Sequence, residues 1–376
     1  MTISLGIKSS SIMVAIALAM GCGDDDGLFD DDDDDDGDVI QEEAYQRVDL
    51  VTNATDPALI NPWGIATSEQ GFWIANEGTG ILSVYDRNGR PVGGFTATPI
   101  DLGDGITGVV RNPSGDFVIR GNGRTARAEF IAARLDGRLV AWTDQIGSPG
   151  VVAVAANQGA VYTGLTYAMG RAGSQLYAAN FSEGTIDVYN ARFLPATVEG
   201  RFFDPNLPAN YSPFNVQALA DGAIYVTYAI PSEEGDEEVG AGLGVVNKFD
   251  TEGRLLARIA TGGLLNAPWG LALAPDDFGP LSNTLLVGNF GDGRITGYSP
   301  EGRVIGQLEM PNGGPVVIDG LWAITFGDDA NAGRSNVLYF AAGPNEEQAG
   351  AFGRLEVTTT NLASDDDQDD DDGSIY

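Results

Sequence analysis

Between residues 44 and 363 the apolar positions fall in short runs of four to seven residues, bounded by Gly, Asn, Asp and Pro. No segment there sustains the 3.6-residue period of an amphipathic helix, while Val, Ile, Tyr, Phe and Trp dominate the runs. That pattern, with Gly-containing turns between the runs, predicts short antiparallel strands joined by hairpins.

The runs also repeat. Asn61-Pro62-Trp63-Gly64-Ile65-Ala66 returns as Asn266-Ala267-Pro268-Trp269-Gly270-Leu271-Ala272. Weaker copies centre on Gly108, Gly164, Asn215 and Ala323, and the successive spacings from Gly64 to Ala323 are 44, 56, 51, 55 and 53 residues. A second strand follows in phase: Phe72 to Gly78, Leu176 to Gly184 and Leu286 to Gly293 match one another, with Ile224–Tyr228 and Val337–Phe340 in the same slot. A third strand runs into an Asp/Ser-x-x-Gly-Arg turn at Asp86–Arg90, Asp250–Arg254 and Ser299–Arg303. Six units of about fifty residues predict an all-β, six-bladed β-propeller over 44–357. The last unit supplies three strands only, so the run at 45–51 is predicted to close the ring as its fourth. A two-sheet sandwich is the other all-β option, but it leaves the fifty-residue period unexplained.

Composition narrows the chemistry. The chain has 376 residues, no histidine, one cysteine and a formal net charge of −34. Without histidine there is no Ser-His-Asp, Cys-His or His-metal mechanism. One cysteine rules out intrachain disulfides and thiolate zinc sites, and the charge opposes nucleic-acid phosphate. Eleven Asp lie in residues 24–38 and seven in 365–372, so segments 23–43 and 358–376 are expected to be disordered, solvated spacers.

Residues 1–22 look like an export signal. Lys8 precedes a nine-residue apolar run, Ile12–Met20, which is too short to span a bilayer and is followed by Gly21-Cys22. The segment resembles a bacterial lipoprotein signal, which implies lipidation at Cys22 and a lipid-anchored protein of the cell envelope. Ala19 and Met20 depart from that motif, and an ordinary signal or an uncleaved anchor is the alternative.

In a propeller blade the start of the inner strand A and the B–C turn share one face. Onto that face the sequence places Trp63, Trp269 and Trp322, which form a candidate aromatic ligand surface or, alternatively, pack between blades. It also places Asn76, Asn180 and Asn289 there, each before a Gly-containing turn. These cap their own turns, or else point into the channel and, with Glu77, Glu183, Asp292 and Asp319, coordinate calcium, a hard cation that takes six to eight oxygens. The acidic run 231–238 reads as a solvated loop.

The Pro-Trp-Gly-Leu-Ala segment and Val287–Ile295 look like NHL-type propeller repeats. More specifically, 44–357 resembles a family of uncharacterised bacterial secreted propellers associated with PEP-CTERM sorting systems. The matching stretches are Phe203–Pro208, Leu264–Pro275, Leu285–Ile295, Ile318–Ala323 and Leu338–Asn345. The resemblance implies a six-bladed propeller and export, and no catalytic residues. The C-terminus departs from the sorted members in lacking a Pro-Glu-Pro motif and hydrophobic anchor. Two functions are therefore expected. One is a monomeric envelope module that binds a protein, glycan or cation through an acidic, aromatic face; the other is a calcium-dependent, lactonase-like hydrolase with a channel metal. Binding is favoured because no carboxylate pair sits at motif spacing and a fold alone does not imply chemistry.

Overall fold

Every repeat becomes a four-stranded antiparallel sheet, and six such sheets make up the fold. The computed structural model describes residues 40–94, 99–157 and 159–362. The signal, Cys22 and both Asp runs lie outside those residues. In chain order the inner strands are Pro62–Ser68, Ile106–Arg111, Tyr162–Gly170, Ser212–Ala218, Pro268–Leu273 and Leu321–Phe326. Each packs against the inner strand of the next blade, and the last packs against the first, so the ring is closed.

The repeated glycine motif has a structural job. In all six inner strands the register against strand B slips once, between Pro62 and Ile65 in the first blade and at the equivalent place in each other blade. The positions aligned from sequence, 64, 108, 164, 215, 270 and 323, lie in or beside these bulges. A bulge bends the strand and re-aims its side chains. Glycine there lets neighbouring blades approach. A Cβ on Gly64 would lie 2.5 Å from the Thr107 carbonyl oxygen, and one on Gly270 would lie 2.6 Å from that of Trp322.

Closure follows the expected route. Strand Ile40–Thr52 pairs antiparallel with Ala351–Leu362 and becomes the outermost strand of the last blade. Both strands are longer than the apolar pattern suggests, so the sheet starts before residue 44 and ends after 357. The run Thr358-Thr359-Thr360 is polar but β-branched, which suits an outer strand. Tyr45 is 1% exposed and anchors the closing strand: its hydroxyl donates to the Phe278 carbonyl (2.9 Å) and accepts from the Leu281 amide (3.0 Å). The Asp-x-x-Gly-Arg turns are structural, as the pattern implies. Asp86 Oδ1 accepts from the amides of Asn88 and Arg90, and Asp250 Oδ1 from those of Glu252 and Arg254.

Besides the 3-10 turn Gly279–Leu281, a hairpin falls outside the repeat. Val118–Gly121 and Arg124–Arg127 form a separate hairpin between strands A and B of the second blade. Its Asn122-Gly123 turn has φ of 49° and 73°, the left-handed pair that a tight hairpin requires.

Candidate functional site

The three tryptophans meet in the middle of the ring. Trp63, Trp269 and Trp322 are 6%, 3% and 0% exposed. Trp63 stacks on Trp322 with ring centroids 3.6 Å apart, and Trp269 packs edge-on to both. Phe290 stacks on the other side of the trio at 4.2 Å from Trp322, while Phe214 touches Trp322 and Phe181 touches Phe214. This cluster draws on five blades and fills the channel.

Backbone geometry aims the trio inward. Two residues before each tryptophan the chain is left-handed: φ is 44° at Asn61, 43° at Ala267 and 62° at Gly320. Asn and Gly tolerate that region, whereas Ala267 is strained there. Hydrogen bonds then stitch the blades together across the channel. Trp322 Nε1 donates to Asn61 Oδ1 (2.9 Å), Trp269 Nε1 to the Thr163 carbonyl (3.0 Å), and Asn215 Nδ2 to the Trp269 carbonyl (2.8 Å).

The cluster leaves a cavity on each side. Residues after the bulges, among them Thr67, Arg111, Tyr167, Gln217 and Thr325, line one of about 370 Å³. Residues before the bulges line the other, of about 570 Å³, on the face that carries the strand A starts and B–C turns. Its aromatic side is Trp63, Phe181 and Phe214, with Leu135 and Thr163 beside them. Its acidic side is Glu77, Glu234, Asp236, Glu237 and Glu347.

These carboxyl groups feel one another. Burial pushes Glu237 up to about 8, and the charges of Glu347 and Asp236 add to the shift. Glu347 is also raised, first by burial and then by Glu77, while a hydrogen bond with Asn61 opposes the rise. Asn61 Nδ2 donates to Glu77 Oε2 at 3.0 Å. Two polar atoms of lining residues are buried without a hydrogen-bond partner: Trp63 Nε1 and Thr163 Oγ1, the latter residue being 3% exposed.

The run 231–238 is therefore more than a solvated loop. Pro231 bridges Glu237, which folds the loop back, so Glu237 is half-buried over the cavity while Glu233, Glu234 and Glu238 stay exposed. Of the calcium candidates, Glu77 alone lines this cavity. Asn180 Nδ2 donates to Glu183 Oε2 (3.2 Å), and its Oδ1 accepts from the Val161 amide (3.3 Å). Asn289 Nδ2 donates to Asp292 Oδ1 (3.0 Å), and its Oδ1 accepts from the Asn266 amide (3.1 Å). Asn76 Nδ2 donates to the Ile81 carbonyl and to Ser83 Oγ, both at 2.8 Å. Asp319 Oδ2 accepts from the Asn345 amide at 2.9 Å. Apart from Asn76 Oδ1, which is buried without a hydrogen-bond partner, these groups are bonded within their own blades. Among the described residues no three acidic, histidine or cysteine side chains converge as metal ligands.

The residues sequence reasoning missed are Asn61, Thr163, Phe181, Phe214, Glu237 and Glu347. A signal existed for some. Asn61 and Phe181 lie inside the repeated motifs, and Glu347 lies in the B–C turn of the last blade, between Leu338–Ala342 and Ala351–Leu362.

A closed ring of six four-stranded blades, with an aromatic cluster below an acidic cavity, defines a six-bladed β-propeller. No protein-family model matches the chain. It is 33% identical over 280 residues to uncharacterized protein R648 of Acanthamoeba polyphaga mimivirus, covering 71% of this chain and 68% of that protein, and it belongs to the same family. Uncharacterized protein L690 of the same virus is 29% identical over 316 residues, covering 80% and 81% of the two chains. A solved protein of unknown function from Bacteroides thetaiotaomicron superposes with a TM-score of 0.52 at 10% identity, covering 85% of this chain and 77% of that one, a likeness of fold alone. The relatives are viral, so the propeller is what the sequence resemblance and the comparisons share; neither a bacterial origin nor a PEP-CTERM association comes with them.

Proposed function

We propose that this protein is a binding propeller whose ligand enters the acidic, aromatic-floored cavity at one mouth of the channel. The observation that carries the reading is the cavity itself: a concave site of about 570 Å³ with an apolar floor and a few convergent polar groups. Small-ligand and side-chain pockets have this size and make-up. The calcium-dependent hydrolase reading finds less support, because the seven residues it needs are spread over four blades and all but Asn76 have a side-chain oxygen engaged by the local bonds described above. Residues 1–22 support export with lipid attachment at Cys22, which would hold the propeller at a membrane surface. Release of Cys22→Ala from the membrane fraction tests that part.

Tryptophan emission tests the binding reading, since Trp63 lines the cavity. A basic peptide, a neutral oligosaccharide and calcium are titrated separately into the protein and into a Glu237→Gln, Glu347→Gln variant. A saturable change with at least one probe, weakened in the variant, supports the site. Unchanged emission with all three probes overturns it.

A further inference from the structure

We infer that the cavity accepts an alkylammonium or guanidinium group carried on a chain that also bears acceptor oxygens, the chemistry of a peptidyl lysine or arginine. The inference rests on the reading of this cavity as the binding site and specifies what fills it.

Three observations converge on that class. First, Glu77, Asp236, Glu237 and Glu347 all line the cavity, yet no three acidic side chains among the described residues converge as metal ligands. Calcium needs six to eight oxygens around one point, whereas an organic cation can be held by carboxylates spread around a wall. Second, the opposite side is aromatic. A cation within about 6 Å of a Trp or Phe ring is attracted to its face, and the alkyl stem of a long basic side chain packs on such surfaces while its head remains among polar groups. Third, Trp63 Nε1 and Thr163 Oγ1 are buried and unpartnered. Both residues line the cavity, and an indole N–H can only donate, so a ligand acceptor that reached Trp63 would supply the partner it lacks, which a bare metal ion cannot do. A neutral sugar offers acceptors but gives the crowded carboxyl groups no counter-charge. A cationic side chain on a peptide answers both needs.

Proton linkage gives the inference a signature of its own. Glu237 and Glu347 resist ionisation in the empty cavity. A bound cation favours their charged forms, so binding must expel protons and tighten as pH rises.

The test is titration calorimetry of the full chain with Nα-acetyl-lysine methylamide and its norleucine counterpart, which keeps the stem and both carbonyls and removes the charge. Measurements at pH 6 and 8.5, in buffers of different ionisation enthalpy, read the protons released. The lysyl probe should bind at least about tenfold more tightly than the norleucyl probe, a difference of about 1.4 kcal/mol. It should release protons and bind more weakly at pH 6. The Glu237→Gln, Glu347→Gln variant, shown to be folded by circular dichroism, should lose that preference. Equal binding of the two probes would overturn the cation class and leave the site standing. Binding of neither probe overturns the cation class as well, and the emission titration with the oligosaccharide and calcium then decides whether the site itself survives.

Discussion

Where two inner strands touch, a single methyl group is too much. A Cβ on Gly108 would lie 2.3 Å from the Leu165 amide nitrogen, which belongs to the backbone of the next blade and cannot swing away. Overpacking of this kind costs about 1–3 kcal/mol. Gly108→Ala should therefore lower the melting temperature clearly, while Gly115→Ala, with nothing within 4 Å of its Cβ, should not. Equal melting curves would mean that the blades are less tightly apposed. Glu237 works in the opposite direction. Its folded pKa of about 8 is above the unfolded value of about 4.3, so its contribution to stability is fully present below about pH 4.3 and is lost as pH rises through 8. The thermal stability of the wild type should fall over that window relative to Glu237→Gln. Parallel profiles would mean that Glu237 is solvated. The glycines were legible in the sequence because they recur at one place in each repeat. Glu237 was not, because nothing in an acidic run shows which of its members folds inward.

The closing strand is the element on which the ring depends. Ile40–Thr52 covers the edge of Ala351–Leu362, and an uncovered edge strand is a template for pairing with another chain. Deleting residues 40–52 should lower the melting temperature sharply and produce self-association, read by light scattering. An unchanged melting curve and a monomeric product would contradict the closure. A gentler probe is Tyr45→Phe, which leaves the Leu281 amide and the Phe278 carbonyl without their partner. Unpaired buried groups cost about 1–3 kcal/mol, so a stability loss of that order is expected by denaturant titration. The strand itself could be read from sequence, because a final unit with three strands demands a fourth. Its full length could not, since Gln41, Glu42 and Glu43, and Thr360 and Thr359 opposite the two glutamates, break the apolar signal although their backbones still pair. The inserted hairpin Val118–Gly121 and Arg124–Arg127 was invisible for a related reason: it belongs to no other blade, so no repeat marked it.

At the scale of the molecule, one face of the ring differs from the other. Short capped turns occupy one, while the other gathers the tryptophan approach, the long B–C loops and the acidic cavity. The period of the sequence revealed the ring and the face on which the loops emerge. It did not reveal the cavity, because Glu77, Glu237 and Glu347 come from the first, fourth and sixth blades and meet only once the ring has closed. Nor did it show that three recurring tryptophans would stack on one another, since recurrence fixes their level along the axis and not their rotamers. The central claim is that these carboxyl groups share a secluded cavity above an aromatic plug. Carbon-13 NMR of the glutamate side-chain carboxyls, followed from pH 3 to 10, tests it most directly. The account predicts that Glu237 titrates near 8, with Glu347 also above the ordinary carboxylate range. Titration of both at about 4.3, the value of a free glutamate, would contradict it.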